Sequence, residues 1–182
     1  MKTTSLVAVV FALALSHTAD ARNRSFSGGS DYDSNGQFGL GLELGEPTGL
    51  NGKLFLNPNQ ALDFGIGEVY HYYYGGDGLH LYLDYLWHPK QLVATPAFKM
   101  PFYIGVGGRI WFFDYDNYNN AHADAFGIRV PIGLDFDLNN VPLDFFVQFV
   151  PTLDFFHNYG GPNGHSVYLD IDFSVGIRFW FS

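Results

Sequence analysis

The stretch Leu169-Asp170-Ile171-Asp172-Phe173-Ser174-Val175-Gly176-Ile177-Arg178-Phe179-Trp180-Phe181-Ser182 alternates with a period of two. Leu169, Ile171, Phe173, Val175, Ile177, Phe179 and Phe181 fall on one face of an extended strand. Both aspartates and the arginine fall on the other. A soluble sheet would turn the apolar face into a core, whereas a transmembrane barrel would turn it to lipid. The run exceeds the usual soluble strand of about 5–6 residues. It suits the roughly 9–11 residues that a tilted strand needs to cross a bilayer.

Residues 1–21 read as a secretory signal peptide: Lys2 is the positive start, Leu6 to Leu15 the apolar run, and Ala19-Asp20-Ala21 the cleavage site. That run is too short to span a membrane as a helix. Arg22 to Gly36 is polar and Gly/Ser-rich and reads as a flexible lead-in, leaving residues 37–182 as one barrel domain. Asp31, Asp33, Asn35 and Gly36 imitate the start of a calcium loop, but Leu42 stands where that loop needs a glutamate.

The 182 residues contain no cysteine, 22 glycines, 19% aromatics and 47% hydrophobic residues. A small secreted soluble domain often needs disulfides, whereas a barrel sealed in a bilayer does not. Interfacial girdles would use the aromatics and a narrow interior the glycines. A net charge of −9 argues against a nucleic-acid partner.

Alternation recurs along the chain at Phe38–Gly45, Leu50–Leu56, Ala61–Tyr70, Leu79–Trp87, Phe102–Phe112, Phe126–Leu138, Leu143–Phe155 and the final run. This predicts an all-β, eight-stranded, antiparallel, up-and-down transmembrane β-barrel. Glu46-Pro47-Thr48-Gly49, Asn57-Pro58-Asn59-Gln60 and Asn139 to Pro142 are turns. The connection from His88 to Pro101, with Pro89, Pro96 and Pro101, is expected to lie outside any ladder. With both termini periplasmic, the outer loops would be 46–49, 71–78, 113–125 and 157–166.

Several stretches resemble small outer-membrane β-barrels of Gram-negative bacteria. They are Gly45-Glu46-Pro47-Thr48-Gly49, Asp84-Tyr85-Leu86-Trp87-His88, Gly105-Val106-Gly107-Gly108-Arg109, Arg129-Val130-Pro131-Ile132-Gly133-Leu134 and Gly176-Ile177-Arg178-Phe179-Trp180-Phe181. The architecture is similar to the OmpA transmembrane domain and to OmpX. The resemblance implies a fold and a place in the bacterial outer membrane, with the signal peptide removed after Ala21. It carries no catalytic residues. The aromatic near the C-terminus resembles the signal that barrel assembly machinery reads, although Ser182 follows Phe181.

The inward positions collect Glu43, Lys53, Asp63, Asp84, Arg109, Arg129, Asp135, Asp137, Asp144, Asp154, Asp170, Asp172 and Arg178. In so narrow a barrel these must pair, and the three arginines are the expected hubs of an interior salt-bridge network. The same groups could instead line a narrow pore, and excess acid would make it cation-preferring. A lipid A-modifying enzyme would need a His–Ser pair oriented by an acid. His157 is followed by Asn158 and Tyr159, and in His165-Ser166 the neighbouring side chains of a strand diverge, so no catalytic site is expected. His71, His80, His88 and His122, with Asp114, Asp116 and Asp124, lack the spacing of a metal site, and no cofactor is expected.

Tyr72, Tyr73, Tyr74, Tyr115, Tyr118 and Tyr159 stand in loops among Asn, Asp and Gly, a composition suited to binding an extracellular protein or to an interfacial belt. The sequence thus points to a structural or loop-displaying outer-membrane protein whose partners are membrane lipid, the assembly machinery and an extracellular ligand. A pore, a lipid A-modifying enzyme and a soluble lipocalin-type barrel are the rivals.

Overall fold

A run that alternates apolar and polar side chains can present each kind to only one side of a sheet. Such runs in succession, separated by short turns, pair each with the next. The computed structural model describes residues 34–71, 76–114, 122–157 and 165–181. Among them lie β1 (Phe38–Gly45), β2 (Thr48–Asn57), β3 (Gln60–His71), β4 (Gly76–Ala94), β5 (Phe98–Asp114), β6 (His122–Arg129), β7 (Ile132–Leu138), β8 (Leu143–His157) and β9 (His165–Phe181). All pair antiparallel, and β9 returns to β1, so the sheet closes on itself as a barrel. The proposed signal peptide, most of the lead-in and the loop tyrosines lie outside the described residues.

β6 and β7 are two halves of one stave. Each pairs with β5 on one side and β8 on the other. The alternation predicts an unbroken strand over 126–138, and the structure interrupts it at Val130–Pro131 because proline has no N–H to donate. Hydrogen bonds from Gly105 N to the Pro131 carbonyl (2.8 Å) and from Val130 N to the Pro151 carbonyl (2.9 Å) carry the ladder across. Nine segments therefore make the eight staves that the sequence pattern predicts.

The expectation that residues 88–101 lie outside the ladder is overturned. Lys90 faces Phe102, Gln91 faces Pro101, Val93 faces Met100 and Ala94 faces Lys99. Register shifts between Trp87 and Lys90 and between Gln91 and Val93 accommodate Pro89 and Pro101, as β-bulges do. Only Pro96 sits in the turn. That turn is closed by Thr95, whose Oγ1 accepts from Phe98 N (3.0 Å) and donates to the Phe98 carbonyl (2.9 Å). The far end differs: β1 passes to β2 through Glu46–Pro47 alone, with Gly45 at φ 130°. A side chain on Gly45 would be strained there and would meet the Phe173 carbonyl.

The register also fixes the stagger. Gly39 faces Lys53, then Asp63, Asp84, Gly107, Arg129, Thr152 and Asp170 in turn around the ring. Because Gly41 faces Arg178 across β1 and β9, the partner of Asp170 falls at position 49. That is 10 residues beyond the start (49 − 39). A stagger of this size goes with the roughly 35–45° strand tilt of closed barrels.

Polarity runs the reverse of a soluble protein's. Lys53, Asp84, Arg129, Asp135 and Asp144 are 0% exposed, while Leu44 is 62%, Leu83 55%, Phe126 53% and Phe173 57% exposed. The inward apolar side chains form two plugs. Phe55, Ala61, Leu86, Tyr103 and Trp180 make one, and Val69, Trp111, Ala125 and Phe156 the other.

Candidate functional site

The charged interior is the candidate site, and it resolves into four groups. At Arg178, on β9, the guanidinium Nε and Nη2 donate to Asp144 (3.0 and 2.9 Å), Nη2 to Asp135 (2.5 Å) and Nη1 to Asp63 (3.2 Å). Lys53 Nζ donates to the other oxygen of Asp135 at 2.5 Å, and His88 Nε2 lies 3.4 Å from the same oxygen. The cations also rest on rings: Arg178 lies 4.3 Å from the Phe146 centroid and Lys53 4.5 Å from that of Tyr103. Glycines make room for these rings, since a Cβ on Gly176 or Gly133 would collide with Phe146 or Tyr103.

Glu43 is a buried carboxylate held by neutral donors from three other strands. Tyr82 donates at 2.6 Å from β4, Gln148 at 2.9 Å from β8 and Ser174 at 2.5 Å from β9. Such bonds to a charged group are the stronger kind, and together they pin β1 across the barrel.

Arg129 is held more loosely. Its Nε is 3.3 Å from Asp84, its Nη1 is 3.2 Å from His80 Nε2, and its guanidinium lies 4.0 Å from the Tyr82 ring centroid. Neither carboxylate oxygen of Asp84 receives a hydrogen bond.

Arg109 gathers three aspartates. Its Nε and Nη2 donate to Asp154 (2.9 and 2.5 Å), Nη1 to Asp172 (2.5 Å) and Nη2 to Asp170 (3.0 Å). The guanidinium stacks 3.8 Å over Trp111. Asp172 is fully buried and its Oδ1 receives no hydrogen bond, whereas Asp170 is 23% exposed. One carboxylate oxygen each from Glu46, Asp170 and Asp172 lies within 4.8 Å of the other two.

The alternation thus places Glu43, Lys53, Asp84, Arg109, Arg129, Asp135, Asp137, Asp172 and Arg178 inside, with Asp170 partly open. The structure draws Lys53 to Arg178's group and places Arg129 against Asp84 and His80. His88 belongs to the interior, and sequence reasoning missed it by ending its strand at Trp87. The signal was present, because Asp84, Leu86 and His88 continue one face. In the sequence Glu46 signals only a turn. The side chains of His71, His122, His157, His165 and Ser166 lie outside the description.

No curated protein and no solved structure matches the chain. A family model described as a protein of unknown function, DUF3996, matches residues 30–182, the lead-in's end and the whole barrel. The chain belongs to the DUF3996 family.

Proposed function

We propose that this chain spans a bacterial outer membrane as an occluded β-barrel and serves as a structural or loop-displaying surface protein, without catalysis. One observation carries the reading: the inward-facing charges are buried and aliphatic and aromatic side chains are exposed on every stave. Exposed apolar surface on that scale is foreign to a soluble monomer, whereas an outward apolar band with aromatic girdles is what a bilayer requires. A soluble lipocalin-type barrel would reverse the two faces. The signal-like residues 1–21 support export, and the terminal Phe179 and Phe181 support recognition by the assembly machinery. Outer-membrane lipid is then the partner of the apolar band, and an extracellular protein the partner of the loops. Ring-lined plugs and three ion-paired arginines support occlusion over conduction.

The test is refolding of residues 22–182 into lipid vesicles, with the folded fraction identified by a heat-dependent gel shift. Planar-bilayer current is then recorded from that fraction. Silence from folded protein is the expected result. Discrete conductance steps would overturn occlusion, and failure to insert into lipid would overturn the membrane reading. A cation-preferring pore is the second reading, favoured by the Asp84 oxygens and by Arg129 Nε and Nη2, buried polar atoms that make no hydrogen bond within the protein.

A further inference from the structure

Lys53, Arg109, Arg129 and Arg178 take the barrel's interior, which leaves Lys90 and Lys99 as the other cations of residues 37–182. Lys99 faces Asp137, an inward residue, across the β5–β7 ladder. Lys90 is exposed and faces Phe102, whose neighbour Tyr103 points inward and is buried. Facing residues of a ladder share a side, so Lys90 stands on the barrel's outer wall. Among the described residues it enters no ion pair. Phe102 is also the edge of an apolar groove in that wall. Phe102, Ile132, Leu134, Val147, Phe149 and Phe173 line about 290 Å3 of it. The exposed rings of Phe149 and Phe173 rise beside the half-buried Leu134 and Val147. A cavity of about 150 Å3 takes one benzene, so this volume suits a hydrocarbon of roughly a dozen carbons.

The register joins cation and groove. Lys90 faces Phe102, Phe102 faces Leu134, Leu134 faces Val147 and Val147 faces Val175. Each step across the ladder is about 4.8 Å. The barrel's stagger makes this line climb from the end that carries the termini toward the far end as it passes from β4 to β9. Lys90 therefore stands at its low end, and the groove rises away from it. Trp87, 41% exposed on the same strand, meets Tyr85 edge-on at 4.7 Å, the kind of residues that mark a membrane–water interface. We propose that this wall seats one anionic phospholipid, its phosphate on Lys90 and one acyl chain in the groove between Phe102 and Phe173. A lysine binds phosphate as a point charge, and the aliphatic and aromatic sides of the groove complement hydrocarbon. The site rests on the membrane reading above and deepens it by naming a lipid that the apolar band holds.

The test uses the mature chain refolded into phosphatidylcholine vesicles, with the heat-dependent gel shift marking folded, inserted protein. Brominated phosphatidylglycerol or brominated phosphatidylcholine is added in increasing proportion, and quenching of tryptophan emission is followed. Trp111 and Trp180 are buried inside, so Trp87 is the tryptophan that meets lipid. Phosphatidylglycerol should be preferred over phosphatidylcholine by about fivefold, the factor that one basic residue near an anionic surface supplies. Lys90→Gln should abolish the preference and Lys90→Arg should keep it. Val147→Phe, which fills the groove, should weaken it, whereas Leu50→Phe, outward on β2, should leave it unchanged. Equal quenching by the two lipids, a preference that survives Lys90→Gln or Val147→Phe, or an equal loss with Leu50→Phe overturns the site while insertion stands. A chain that does not enter the vesicles overturns the membrane reading and the site together.

Discussion

Arg178 shares its surroundings with Lys53, so two cations meet Asp63, Asp135 and Asp144. Arg109 bridges Asp154, Asp170 and Asp172, with Glu46 close to the last two. Both arginines use a planar fork to bridge carboxylates from different strands, and both lie over an aromatic ring. The difference is in what surrounds the fork. Near the termini the group is fully buried and nearly neutral. At the far end one aspartate, Asp170, is partly open. A salt-bridged interior can therefore be fully buried around one fork and partly open to solvent around another, with the same parts.

The largest test of that contrast is loss of the forks themselves. Arg178→Met should cost about 3–5 kcal/mol, since removing one partner strands buried charge. Arg109→Met should cost less, because Asp170 and Glu46 keep contact with solvent; urea unfolding from lipid vesicles compares the two. Equal losses would erase the distinction between the ends. Next, on the membrane reading, Leu83→Arg in mid-barrel should cost about 2–4 kcal/mol, whereas Leu169→Arg, beyond the β1–β2 turn, should cost about 0–1 kcal/mol. The same vesicle unfolding reads both, and a neutral Leu83→Arg would argue for an aqueous exterior.

Glycine substitution probes how firmly each group is held. A Cβ on Gly41 would strike the Ile177 carbonyl and Arg178 backbone, so Gly41→Ala should cost about 1–3 kcal/mol. On Gly127 it would meet the Asp154 and Arg109 side chains, which can shift, so a smaller loss is expected in the same assay. The smallest effect belongs to Glu46→Gln. Stability should change by no more than about 0.5 kcal/mol, because Glu46 is only half-buried, in the turn between β1 and β2. A large loss would show Glu46 to be a structural member of the group.

Much of this was legible in the chain, for a physical reason. Period-2 alternation places side chains on faces whatever the neighbours do, so the inward Glu43, Arg109, Asp172 and Arg178 could be named from spacing alone. What alternation lacks is partnership. That Lys53 meets Asp135, two strands of which are distant in sequence, depends on a stagger set by turn lengths around the whole ring. Prolines misled in both directions. Pro89 and Pro101 suggest the end of a ladder that bulges let continue, and the alternation around Pro131 suggests a ladder that this proline breaks. The Glu46, Asp170 and Asp172 grouping was illegible because it joins a turn to a strand far along the chain.

Closure of the ring has a consequence for the order of assembly. With β6 and β7 counted as one stave, every other pairing among the described residues joins staves consecutive in the chain, but β1 meets β9, with Phe38 facing Phe181. The first strand must therefore wait for the last, and a chain stopped before β9 would carry two raw edges, on β1 and β8, ready to recruit other strands. Glu43 makes the wait consequential. Its Ser174 donor arrives only with β9, so the buried acid of the first strand is fully satisfied only when the final one has docked. The seam thus acts as a completion check, rewarding closure in one register and leaving a buried acid short of a partner in any other.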